Sequence, residues 1–125
     1  MEGVCLGKLY DFNLDEDKGT FYVRTGGFFE EEDAKVYLSE FQTIVNTINP
    51  SIYKLIVDAR EQEPVEKNVI GDLSMVLNLY SSAKFKKLVI VNPVSQILKK
   101  QVENCLREVN FTGTFVCSLE EAYSL

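Results

Sequence analysis

Residues 55–73 read LIVDAREQEPVEKNVIGDL, and the fold turns on how this stretch divides. Its first part, within Tyr53–Ala59, is an apolar, β-branched run short enough for a strand buried on both faces. From Pro64 to Ser82 the apolar residues Val65, Val69, Leu73, Val76, Leu77 and Tyr80 recur at helical spacing. Proline suits the first turn of such a helix, where its missing N–H costs nothing. Between them lies a join dense in charge: Asp58, Arg60, Glu61, Glu63, Glu66 and Lys67.

The same alternation extends in both directions. Val4–Asn13 reads as a strand, 14–19 as a turn, and Thr20–Thr25 as a second strand antiparallel to the first. Gly26-Gly27 breaks the run before a helix over 28–48 that is acidic in its first turn, as a helix N-terminus prefers. That helix sets Ala34, Tyr37, Leu38, Phe41, Val45 and Ile48 on one face, and Asn49-Pro50 ends it. Further on come a strand at 86–93, a helix at 94–110 burying Ile97, Leu98, Val102, Cys105, Leu106 and Val109, and a strand at 113–118. Ser118-Leu119-Glu120-Glu121 has the spacing of a capping box for a short last helix. The order β-β-α-β-α-β-α-β-α implies a single α/β domain over residues 1–125. Its sheet is mixed but mostly parallel, and the N-terminal hairpin supplies the antiparallel strand.

Composition narrows the function. The chain has 125 residues, 46% of them hydrophobic, and a net charge of −6. Such a surface repels a phosphate backbone, so neither nucleic acid nor anionic membrane is an expected partner. No run approaches the ~18 apolar residues of a membrane span. The N-terminus lacks a secretion signal, which implies a cytoplasmic protein and leaves Asn110-Phe111-Thr112 without meaning as a glycosylation acceptor.

Cys5, Cys105 and Cys117 have no paired spacing and there is no histidine, so no metal site is expected, and each cysteine reads as a small buried hydrophobe. Without histidine the commonest general base is missing, along with Ser-His and Cys-His dyads. No catalytic residue and no cofactor is expected, and the chain reads as a non-enzyme.

The opening hairpin, VRTGGFF (23–29), KLIVDA (54–59), KKLVIVNP (86–93) and FVCSLEEAYSL (115–125) together resemble a STAS domain. This is the fold named for sulfate transporters and anti-sigma factor antagonists, and the likeness runs through nearly the whole chain. The resemblance is to bacterial anti-anti-sigma factors, in which an Asp-Ser-Ser/Thr-Gly motif starts the second helix and carries a phosphoacceptor serine. Laid on without gaps, that motif falls on Glu66, Lys67, Asn68 and Val69. The acceptor position is therefore an amide, and no serine or threonine lies between Ser51 and Ser74. A phosphoserine would bring about −1.5 to −2 charges and three acceptor oxygens. Here Lys67 opposes the helix dipole and Glu63 and Glu66 offset it.

The resemblance implies a regulatory domain that binds a protein partner, an anti-sigma factor or related regulator. The partner surface would comprise Arg60, Glu61, Glu63, Glu66, Lys67, Asn68 and Asp72, without phosphorylation control. The bland alternative is a solvated, charged turn.

GGFFEEEDAKVYL (26–38) also resembles a second branch, STAS-like proteins related to CRAL-TRIO lipid-transfer domains. That likeness implies an apolar ligand such as a lipid in a groove between helices. Ile70, Met75 and Leu79, lying off the main inner face of helix two, would line the groove or a homodimer surface; ordinary packing is the plainer account. Gly26-Gly27 is a sharp turn rather than an anion cradle, because Glu30, Glu31, Glu32 and Asp33 would repel a phosphate. Lys84-Phe85-Lys86-Lys87 reads as a solvated corner.

Overall fold

The computed structural model describes residues 9–125. Strand β1 (Tyr10–Asp15) pairs antiparallel with β2 (Thr20–Gly27), and β3 (Lys54–Gln62), β4 (Lys87–Val91) and β5 (Thr114–Val116) add in parallel. Part of the expected first strand, residues 4–8, and Cys5 lie outside the described residues.

Strand order in the sheet equals chain order, β1-β2-β3-β4-β5. Successive crossovers of one hand then stack their helices on one face. These are α1 (Glu31–Val45), α2 (Ile70–Ser82) and α3 (Gln96–Leu106). The main core lies between them and the sheet, where Phe21, Val23, Leu55, Val57, Leu88 and Ile90 meet Tyr37, Phe41, Leu77, Tyr80 and Cys105. Helix α4 (Leu119–Ser124) crosses to the other face and covers Ile56, Val89, Val91 and Val116 with Ala122 and Leu119. Strand β3 is thus buried on both faces from Leu55 to Ala59, as its unbroken apolar run requires.

Aromatic rings pin the hairpin to α1 and α2. Phe41 is fully buried, with ring centroids 5.8 Å from Phe21 and 5.2 Å from Tyr80, and Tyr10 meets Tyr37 edge-on at 5.0 Å. Rings at these separations add to their area burial.

Several boundaries differ from the sequence pattern. Strand β3 runs on to Gln62 through a register shift opposite Thr25, where Arg24 faces Asp58 but Gly26 faces Glu61. This bulge re-aims the strand end. Helix α2 begins at Ile70 instead of Pro64, after a 3-10 turn over Lys67–Val69. Both backbone groups of Val65 are bonded to the Gln101 side chain, which leaves that residue unable to join a helical ladder. Lys67 accordingly precedes the helix and does not sit in its first α-turn.

Helix α3 starts at Gln96 because Ser95 caps it, accepting the Leu98 N–H at 3.1 Å. That phase buries Leu98 and Cys105 and turns Ile97 outward, 67% exposed, where the pattern had placed it inside. Cys117, also expected inside, is exposed. At α4, Ser118 accepts the Glu121 N–H at 3.1 Å and the Glu121 carboxylate accepts the Cys117 N–H at 3.0 Å. This is a reciprocal cap reaching one residue further back than a capping box.

Replacing Phe41 with alanine should lower stability by about 3–5 kcal/mol in urea denaturation. Val36→Ala on the exposed side of the same helix should stay within about 0.5 kcal/mol.

Candidate functional site: the corner after β3

Asp58 is the last inward step of β3 on the α4 side of the sheet and is 4% exposed. Its carboxylate accepts from Arg60 Nε at 2.8 Å, Arg60 Nη2 at 2.8 Å and the Arg60 backbone N–H at 3.2 Å. The Tyr22 hydroxyl donates to it at 2.9 Å from the neighbouring strand. Burial pushes the Asp58 carboxyl up, but the Arg60 side chain, then Tyr22, then the Arg60 N–H outweigh it and hold it below its ordinary value. The Tyr22 phenol is pushed up to about 12, by burial first and then by its bond to Asp58. With both oxygens committed, Asp58 positions the backbone; it is not poised to move a proton.

Three further contacts hold the corner that follows. Gln101 of α3 accepts the Val65 N–H at 3.0 Å and donates to the Val65 carbonyl at 2.8 Å, as a neighbouring strand would. The Glu63 N–H donates to the Gly27 carbonyl at 3.0 Å, and the Val94 N–H donates to the Arg60 carbonyl at 3.1 Å. The segment is therefore tied to β2, to the end of β4 and to α3 at once.

The outward side chains of this frame are most of those the sequence singled out. Arg60, Glu61, Glu63, Glu66, Lys67 and Asn68 are all exposed. Asn68 Nδ2 lies 3.5 Å from Glu31 Oε1, which joins the corner to the first turn of α1. Asp72 does not belong with them. It is buried, faces α1 and has Lys35 Nζ at 3.5 Å, while Lys35 also bonds Glu31 at 3.2 Å.

Ile70, Met75 and Leu79 are not brought together either. Ile70 and Leu79 are half-buried and pack on the main core, whereas Met75 stands in solvent, 59% exposed. A space between the packed side chains lies elsewhere, under the corner itself. A cavity of about 60 Å³ lies between the helix layer and the strand ends, walled mostly by apolar side chains that include Val65 and Val69. Its polar groups are Thr25, Gln62, Asp72 and the phenols of Tyr37 and Tyr80. Thr25 Oγ1 donates to Gln62 Oε1 at 2.8 Å, and the two buried tyrosine hydroxyls bond each other. Burial pushes both phenols up.

Gln62, Thr25 and Gln101 carry no sequence signal. The bulge that turns Gln62 inward is invisible to periodicity, and Gln101 is one polar residue on an amphipathic helix. Among the described residues no group of three or more His, Cys, Asp or Glu side chains is arranged to hold a metal ion, and no helix is long and apolar enough to cross a membrane.

No family model matches the chain, and no curated protein matches it. Among solved structures it is similar to an uncharacterized protein of the DUF3478 family with a SpoIIAA-like fold, from Shewanella loihica PV-4. The two share 13% identity at a TM-score of 0.63, over 92% of this chain and 90% of that one. The fold is therefore SpoIIAA-like, the STAS or anti-sigma antagonist architecture.

Asp58→Asn should cost about 1–3 kcal/mol at pH 7, since it weakens charge-assisted bonds at a buried acceptor. The folded-state carboxyl titrates below its unfolded value, so its contribution is full above the unfolded pKa of ~3.9 and is lost as pH falls through the folded value. Denaturation of both proteins across pH 7 to 3 should show the gap closing in acid. Gln101→Leu leaves both backbone groups of buried Val65 without their partner, so it should lower stability by about 1–3 kcal/mol in denaturation and speed hydrogen exchange at the Val65 amide by about tenfold or more.

Proposed function

We propose that the chain is a non-catalytic regulatory domain that docks a protein partner on the corner after β3, independently of serine phosphorylation. The observation that carries this reading is the combination of a backbone tied from three sides with six exposed polar side chains, Arg60 to Asn68. A surface already in its bound shape loses little freedom on association. Ligands and partners of open α/β sheets gather at the carboxyl ends of parallel strands, and this corner is such an end.

The STAS-like fold supports a partner of the anti-sigma factor or related regulator class, in a bacterial cytoplasm. Asn68 lies in the 3-10 turn that leads into α2, where the resembling proteins carry their modifiable serine. An amide there accepts no phosphate, so docking is constitutive and set by the partner's state.

A second reading is favoured by the cavity: a small apolar ligand held beneath the corner. At about 60 Å³ it is less than half the ~150 Å³ that holds benzene in an engineered protein cavity. A lipid chain would have to part the helices from the sheet. This reading predicts a co-purifying small molecule in native mass spectrometry; a clean apo mass removes it.

Cross-linked capture from the native cell should recover a partner with the wild-type chain and lose most of it with Glu63→Ala/Glu66→Ala/Lys67→Ala. Unchanged capture by the triple variant would move the docking surface elsewhere. Phosphate found by mass spectrometry between residues 60 and 73 would overturn the constitutive reading.

A further inference from the structure

The cavity beneath the corner has polar groups whose bonding capacity the fold does not exhaust. Tyr37 on α1 and Tyr80 on α2 are 3% and 4% exposed, and their hydroxyls share one hydrogen bond. Each hydroxyl carries a proton, and that bond uses one of the two. Neither oxygen has another partner among the described residues, so one buried phenol proton has no protein acceptor.

Acceptors line the same cavity. Buried Thr25 gives its own proton to Gln62 Oε1, which leaves its oxygen able to accept. Buried Asp72 meets Lys35 through Oδ1, and its second oxygen makes no hydrogen bond among the described residues. The remaining walls, among them Phe29, Val57, Leu77 and Ile90, are mostly apolar. Buried polar groups without partners are few in folded proteins, so several around one cavity point to something bound there.

We infer that the cavity takes a short, uncharged alcohol, its hydroxyl accepting from the Tyr37–Tyr80 pair and donating to Asp72 or Thr25, its carbons against the apolar walls. This rests on the second reading above, a small ligand beneath the corner, and names the polar group that ligand carries. At about 60 Å³ there is room for roughly two waters or about three heavy atoms, against the ~150 Å³ that holds benzene. Buried waters need two to four polar partners each, which apolar walls do not supply. A hydroxyl both donates and accepts, and its carbon body suits those walls. An anion would meet the Asp72 carboxylate, and an ammonium, having no acceptor, would leave the phenol proton unanswered.

The test is an NMR titration of the methyl-labelled chain with ethanol, with acetate, ethylammonium and xenon as controls. Acetate and ethylammonium are close to ethanol in size and differ in charge, and xenon forms no hydrogen bond. Ethanol should shift the methyls of Val57, Leu77 and Ile90 saturably, with a Kd in the millimolar range, near the ceiling for so few heavy atoms. Tyr37→Phe/Tyr80→Phe removes donor and acceptor together and keeps the ring shapes, a change that folds tolerate. It should weaken ethanol by about tenfold and leave xenon binding in place. Ala34→Leu enlarges a side chain in the cavity wall and should close the site to both.

Ethanol shifts that never saturate, equal binding of acetate or ethylammonium, or an unchanged ethanol Kd in the tyrosine variant would each overturn the inference. Ethanol binding that survives Ala34→Leu would overturn it too, since the shifts would then arise elsewhere. If xenon binds and ethanol does not, the inference falls and the apolar-ligand reading stands without it. If neither enters, the cavity admits water only and both fall. If ethanol binds as described while native mass spectrometry shows a clean apo chain, the cavity's chemistry stands and the reading of a carried ligand falls.

Discussion

A carboxylate buried in the central strand of a five-stranded sheet has to be answered by donors close at hand. Asp58 is answered from its own strand by Arg60 and from the next by Tyr22. Removing an ionised group from water is costly unless it is paired and hydrogen-bonded. The pairing therefore constrains where β3 can go. With Arg60 folded back on Asp58, the strand's outer face is occupied up to residue 60. The bulge follows immediately, and it turns Gln62 toward Thr25 and the interior.

From that point the path of the chain is dictated by backbone accounting. Residues leaving a parallel sheet lose their strand partners, and buried N–H and C=O groups without partners are rare. Gly27 takes the Glu63 N–H, and Gln101 takes both groups of Val65. A glutamine serves here as one rung of a ladder, with an amide that donates and accepts on the same side. The consequence is a delayed α2, since a residue bonded sideways to α3 cannot also bond along a helix axis. Val65 and Val69, held down by this route, become the roof of the cavity.

The architecture was legible in the sequence because it rests on periodicity. The unbroken run in β3, the alternation in β2 and the helical spacing of Ala34, Tyr37, Phe41 and Val45 each report burial on a face, and burial is what orders the layers. Most of the corner's exposed residues were legible too, since dense charge marks a solvated turn. Asp72 was misplaced among them because a charge count does not see that Lys35 reaches across from α1. Ile97 was misplaced because the pattern over 94–110 fits more than one phase. The choice falls to the Ser95 cap, which starts the helix at Gln96 and turns Leu98 inward. Bulge, clamp and cavity were not legible, because each depends on pairings between residues 36 or more apart in the chain, such as Thr25 with Gln62 and Val65 with Gln101.

The same constraints bear on how such a surface could be regulated. A phosphorylated serine acts by placing charge and bulk where a partner must approach, so a switchable corner can be plain until it is modified. This corner carries its charge permanently: three glutamates stand on a frame fixed by Asp58, Gly27 and Gln101, and Asn68 occupies the turn before α2. Fixed charge sets encounter rate and partner choice more than it sets affinity. In the docking proposed above, control of the complex would then belong to whatever exposes or hides the complementary surface on the partner.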